Sequence, residues 1–282
     1  MTAPDRVPPP ERVPLGQAFR RALKLLLPAL ALVIAIGFLP AVPLDSPIAQ
    51  AAVWVADSGS AKVEPWIALL LLLIVVTRPG LALRTRVFEG VVLLGVLLLA
   101  LGGMSLVNEH LIKPAMAIPR PNIIALAEQG VLGLNPDDFY ALGDKPVRSA
   151  YLAERLNDPR APVLAEIVRE HWVIETGYSF PSGHSLAAMT FAAFFSTLGL
   201  SYLDQRRRRL IFFVLPIWAL AVIASRPLLR VHSAFDIGVG ACEGLVIGLA
   251  SVMLARWLIE RVLRIGESTQ PPVGGASNGK VR

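Results

Sequence analysis

Six stretches of this chain are almost continuously apolar: 25–42, 65–77, 87–107, 185–203, 210–224 and 237–258. A helix rises 1.5 Å per residue, so about twenty such residues cross a hydrocarbon core of about 30 Å. The second and fifth stretches are short. The second begins earlier if 51–56 lies along the interface, and Pro216 should bend the fifth. Composition agrees with a membrane solvent: 54% of the 282 residues are apolar and 17% charged, against about 25% charged in soluble domains. The sequence predicts an all-α membrane protein with six transmembrane helices.

An even number of spans puts both termini on one side. Seventeen of the 27 Lys and Arg residues fall in 1–24, in the loops 78–86 and 206–209, and in the stretch from Arg256 to the end. By the positive-inside rule that side is cytoplasmic, and Arg206–Arg209 reads as a topology signal that also suits anionic lipid. The loop 113–184 and the short loop around Arg226 and His232 then face outward. The predicted organisation is a tail over 1–24, a six-helix domain over 25–258 with an outward insert at 122–180, and a tail over 259–282. The net charge of +6 is absorbed by this distribution, so nucleic acid is not an expected partner. Ala49-Gln50-Ala51 has the form of a signal-peptidase site, but it lies well past the apolar run, so the first span reads as a retained anchor. The single cysteine, Cys242, excludes an intrachain disulfide and a cysteine metal cage.

Three polar clusters sit at the outward ends of spans. Lys113 is followed six residues later by Arg120-Pro121; Pro181-Ser182-Gly183-His184 opens span four; Ser225-Arg226, His232 and Asp236 run from span five into span six. Two guanidiniums and an ammonium near a bilayer need an anion, and a phosphoryl group suits the planar arginine fork. Ser182 and Gly183 add backbone N–H donors at a helix N-terminus. His232 and Asp236 are four apart, so they share a face if the helix has begun by His232; the carboxylate then holds one ring nitrogen and frees the other to attack phosphorus. His184, across the pocket, suits protonation of the departing oxygen. This chemistry requires no metal and no cofactor.

Together the three clusters resemble the complete signature of the type 2 phosphatidic acid phosphatase (PAP2) superfamily. Within it, Asp138-Phe139-Tyr140 and the run from His171 to Phe180 are similar to the bacterial phosphatidylglycerophosphatase B group. The resemblance implies a six-helix enzyme of the bacterial inner membrane with its site on the outer side. It would remove phosphate from phosphatidylglycerol phosphate, phosphatidic acid, undecaprenyl diphosphate or related lipids. It implies His232 as the nucleophile that becomes phosphohistidine, Asp236 as its partner and His184 as the acid, with Lys113, Arg120, Ser182, Gly183 and Arg226 holding phosphate. A lipid A phosphatase and a non-enzymatic lipid carrier with the same pocket remain open alternatives.

The 59-residue insert is too long for a plain connection. Short amphipathic helices are expected at 150–156 and 161–172, separated by Pro159 and Pro162. They either lie over the site and select the lipid or form a solvated cap. Glu175 reads as a partner for a pocket arginine. Glu243, two turns beyond Asp236, reads either as a structural hydrogen-bonding group or as part of an acyl path. His110 and His171 carry no expected catalytic role.

Overall fold

The computed structural model describes residues 13–203 and 206–268, with the backbone alone for 206–209, 211 and 264–268. All regular structure among the described residues is helical. The side chains of Arg206–Arg209 and the tails 1–12 and 269–282 lie outside what is described, as do the readings attached to them.

Helix α1 spans Leu15–Ile36, starting ten residues before the apolar stretch that predicts it and ending before Pro40. The reason is periodicity. Ala18, Ala22, Leu26, Ala29 and Val33 form one buried stripe, while Arg20, Arg21 and Lys24 point outward. Mean hydropathy misses a turn that carries three cations. The end of α1 lies tight against the last turn-and-start of the bundle: a Cβ at Gly37 would come within 2.5 Å of Ala234 Cβ. Helix α2 (Pro47–Ser58) is separate, not an early start of the second span. Ser46 caps it by accepting the Ala49 N–H at 3.3 Å, with Pro47 at the first helical position.

Helices α3 (Glu64–Val76) and α4 (Leu83–Val107) follow. Arg78, between them, donates to Glu89 at 2.6 Å and stacks over the ring of Tyr202, at the far end of α10 (Gly183–Tyr202). Arg256, on the last helix, lies over the same ring. One end of the bundle therefore collects the arginines of two of the basic segments.

At the other end α4 widens into a π-helical turn (Asn108–Ile112) and a short helix α5 (Lys113–Met116). The insert then forms α6 (Pro121–Glu128), α7 (Pro136–Ala141), α8 (Lys145–Arg155) and α9 (Glu166–Ile174). Helix α8 begins five residues earlier than expected because Asp144 caps it, accepting from Val147 N–H. Helix α9 begins five residues later than the expected 161: Pro162 disfavours the α conformation just before it, and the Ala165 N–H bonds Leu44 O instead. Ile123, Leu126, Phe139, Leu152 and Trp172 make a small second core with Ala49, Ala52 and Val53 of α2 and with Leu229 and Val231. The insert is thus packed on the bundle and folded about its own apolar centre.

Helix α10 is the axis of the main core, with 94% of its apolar stretch buried. Helix α11 (Arg206–Leu228) runs unbroken through Pro216 and extends past residue 224, so Arg226 lies within its last turn. Helix α12 (Ala234–Ser268) overruns the expected 237–258 at both ends. It meets α10 backbone to backbone: a Cβ at Gly240, Gly244 or Gly248 would lie 2.5, 2.3 and 2.5 Å from the carbonyls of Ser182, Leu186 and Thr190. Small residues four apart let helices approach this closely where lipid offers no hydrophobic drive to association. Three stretches, beginning at Leu83, Gly183 and Ala234, are long and apolar enough to cross a membrane, and Glu64–Val76 and Phe212–Leu228 are shorter apolar helices.

Candidate active site

A cavity of about 520 Å³ opens where the insert meets the bundle. Lys113, Arg120, Gly183, His184 and His232 line its polar end, and Ala68, Leu94, Leu97, Leu101 and Leu186 its apolar flank. Residues from three clusters, more than a hundred positions apart, therefore face one space. Ser182, Arg226 and Asp236 stand behind this wall, each buried.

His232 does not sit on α12. It precedes the helix by two residues, in a loop that passes through a left-handed Arg230 (φ 57°) and is closed by a Val231 N–H bond to Arg226 O. Its Nδ1 is 3.7 Å from Asp236 Oδ2, too long for a hydrogen bond. The expected shared helical face is replaced by a bridge. Ser179 Oγ lies 2.5 Å from Asp236 Oδ2 and 3.3 Å from His232 Nδ1, and Ser233 N–H donates to the same carboxylate oxygen at 2.7 Å. On the other side of the ring, Arg120 Nη1 is 3.2 Å from Nε2. A guanidinium only donates, so Nε2 accepts and the ring proton is assigned to Nδ1, facing Ser179. The lone pair of Nε2 is thereby aimed at the arginine end of the cavity. Burial, then the positive field of Arg120, pushes the His232 pKa down to about 3, so the ring is neutral near pH 7.

Arg120 is fixed on every side. Its Nε donates to Gly177 O at 2.7 Å, Nη1 to Val231 O at 3.1 Å, and Nη2 pairs with Glu175 Oε2 at 2.7 Å; Tyr140 Oη accepts its backbone N–H. Arg226 pairs with the other Glu175 oxygen at 3.1 Å and donates to His171 Nε2 at 3.2 Å. Glu175 thus bridges two buried guanidiniums that would otherwise repel. Burial alone would raise its pKa, but the two arginines outweigh burial and hold the carboxyl well below the usual carboxylate range. His171, buried against Arg226, is pushed down to about 4 and stays neutral. Glu175 Oε1 also lies 4.0 Å from His184 Nδ1. Lys113 pairs with Glu109, whose second oxygen takes Lys145 Nζ at 2.7 Å.

The two expected backbone donors differ. The Ser182 N–H is committed to Asp236 O at 3.1 Å, so it is not a free donor as the sequence suggests. Ser182 works instead as the cap of α10, accepting from Ser185 N–H at 3.3 Å and bonding Ser185 Oγ. The amides of Gly183 and His184, first in α10, have no acceptor within the helix. Gly183 borders the cavity, and a Cβ there would meet nothing within 4 Å. Sequence reasoning assigned no role to Ser179, His171, Tyr140 or Glu109, though the first three lie in stretches already noted for their wording. Glu243 Oε2 is buried without a hydrogen-bond partner among the described residues, so the structural hydrogen bond expected of it is not formed by that oxygen. His110 is exposed.

Residues 89–260 match the PAP2 superfamily, a segment that takes in all three clusters. The chain belongs to the PAP2 superfamily. It is 32% identical over 216 residues to phosphatidylglycerophosphatase B of Escherichia coli strain K12, covering 76% of this chain and 77% of that protein. It is 32% identical over 148 residues to phosphatidylglycerophosphatase B of Haemophilus influenzae, covering 51% and 54% respectively. This PAP2 chain is accordingly a helical membrane protein of a phosphatase superfamily, and the polar end of the cavity lies within the matched segment, while part of its apolar flank, Ala68 of α3, precedes it.

Proposed function

We propose that this protein is an integral membrane lipid phosphatase acting on lipid phosphates or diphosphates through a phosphohistidine on His232, without a metal. The observation that carries the reading is the orientation of His232: Nδ1 toward Ser179 and Asp236, Nε2 toward Arg120. Nε2 attacks phosphorus as the bond to the leaving oxygen breaks. His184, whose pKa is held well below 6.5 in the ligand-free site by burial and then by Arg226, takes up a proton when the phosphate anion enters beside it and delivers that proton to the leaving oxygen. Arg120, Lys113 and the Gly183 and His184 amides face the equatorial oxygens, where charge stabilisation dominates phosphoryl transfer. Arg226 acts from behind, through Glu175. Water then attacks the phosphohistidine, passes a proton to His184, and releases phosphate. The substrates we propose are phosphatidylglycerol phosphate, phosphatidic acid and undecaprenyl diphosphate, the first supported by the named activity of the two relatives.

In this reading the six helices α1, α3, α4, α10, α11 and α12 span the inner membrane, with the tails 1–24 and 259–282 cytoplasmic and the insert 122–180 periplasmic. Acyl chains would leave the cavity along its apolar flank, staying in the bilayer while the headgroup reaches His232. Purified protein in detergent, with EDTA present, should release inorganic phosphate from these lipids, and His232→Ala should release none. A carrier that only binds headgroups would fail this assay. His184→Ala should lower kcat by about 10²–10⁴-fold on a lipid ester, and by much less on an ester of a strongly acidic phenol, whose leaving oxygen needs no proton. Equal losses on both esters would remove His184 from the acid role.

A further inference from the structure

Lys145 is the first residue of α8, a position where the helix dipole disfavours a cation. Its charge is spent elsewhere. About half of the side chain is exposed, yet Nζ lies 2.7 Å from Glu109 Oε2, and the other oxygen of that carboxylate takes the Lys113 ammonium. The backbone of Lys145 is anchored beside the site. Thr176 Oγ1 donates to Lys145 O at 3.3 Å, and Arg148 Nε donates to Thr176 O at 3.0 Å.

This shared carboxylate stands next to the arginine end of the cavity. Lys145, Glu109, Lys113 and Arg120 all line that space. A Cβ on Gly177 would meet Lys145 Cε at 3.0 Å and Glu109 Oε2 at 3.9 Å, while the carbonyl of Gly177 accepts from Arg120 Nε at 2.7 Å. One residue therefore separates Glu109 from the guanidinium that faces His232. Among the described residues, the Lys113 ammonium hydrogen-bonds Glu109 alone. A phosphoryl group and Glu109 thus compete for the same cation. If Lys113 turned to phosphate with nothing else on Glu109, a partly buried carboxylate would be left unpaired beside a second anion, and both effects oppose binding. An ammonium already seated on the other oxygen removes that obstacle.

We propose that Lys145 is a positioning residue for phosphate binding: it keeps Glu109 neutralised while Lys113 leaves that carboxylate for the phosphoryl group of the substrate. The inference rests on the phosphatase reading and gives the insert a part in it, since Lys145 reaches the site from α8. Lys145 acts through Glu109 and Lys113 and makes no bond to substrate. An exposed ion pair that merely tied the insert to the bundle would add little stability and would leave phosphate affinity untouched.

The test is a double-mutant cycle on full-length protein in detergent, read as the KM for phosphatidic acid and the competitive inhibition constant of inorganic phosphate. Lys145→Met should raise both by about tenfold, the scale of one charge-assisted hydrogen bond, and Lys145→Arg should keep most of the affinity. Glu109→Gln frees Lys113 and should lower both constants. Adding Lys145→Met to Glu109→Gln should then change them by less than about twofold, because no carboxylate remains to be neutralised. An equal loss in both backgrounds would mean that Lys145 touches the anion itself, and unchanged constants in Lys145→Met would reduce it to a tether; either result overturns the proposal. Glu109→Ala repeats the comparison if the glutamine variant does not fold. A wild type that releases no phosphate from the lipid would overturn the phosphatase reading itself, and the positioning role with it.

Discussion

At the scale of single residues, the site depends on one imidazole being neutral and correctly turned. The His232 pKa is pushed below its ordinary 6.5, so the ring loses its proton at a lower pH than a free histidine and remains a nucleophile across the physiological range. In ligand-free protein labelled with ¹⁵N-histidine, the His232 resonances, assigned by their loss in His232→Gln, should show a single-proton ring from pH 8 down to about pH 4. Arg120→Gln removes one of the charges that hold the pKa down, so the midpoint should rise. A wild-type midpoint near 6.5 would refute the account. The histidines, arginines and aspartate were legible as residue types at a spacing. Ser179 was not, because a serine that completes a hydrogen-bonded bridge carries no signal until the fold puts it between two partners 53 and 57 positions away. Glu175 was legible as a partner for one pocket arginine; that it bridges two depends on the end of α9 lying beside the end of α11.

At the scale of elements, hydropathy located the apolar segments and erred at their ends. It measures average polarity, whereas α1 and α12 extend through turns whose polar residues point away from the packed face. The bulge at Asn108–Ile112 was equally hidden, since no residue type announces a π turn. The contact that most directly ties an element to chemistry is α10 on α12, where the Gly240 Cα faces Ser182 O and Ser182 N–H bonds Asp236 O. Gly240→Ala must push the start of α10 away from the loop bearing His232, because backbone cannot yield as a side-chain tip can. We expect it to lower both kcat and thermal stability in detergent, by about 1–3 kcal/mol for the overpacking. Gly238→Ala is the control: a Cβ there meets nothing within 4 Å, so stability should change by less than about 0.5 kcal/mol or rise with helix propensity. Indistinguishable behaviour of the two variants would mean that the close approach does not set the site.

At the scale of the whole molecule, the two ends differ in a way that bears on orientation. One end holds Arg78 and Arg256 around Tyr202; the other holds the insert, the cavity and its internally neutralised charges. The proposed orientation makes a prediction that the protein is well suited to test, because Cys242 is its only cysteine. In a Cys242→Ser background, Val163→Cys places a thiol on the exposed insert and Arg84→Cys places one at the opposite end, near the start of α4. With intact cells made permeable only at the outer membrane, a charged maleimide should label Val163→Cys and spare Arg84→Cys until the inner membrane is broken. The reverse pattern would put the cavity on the cytoplasmic side and require a lipid phosphate presented there; labelling of both in intact cells would deny that α4 and the insert lie on opposite sides of the bilayer.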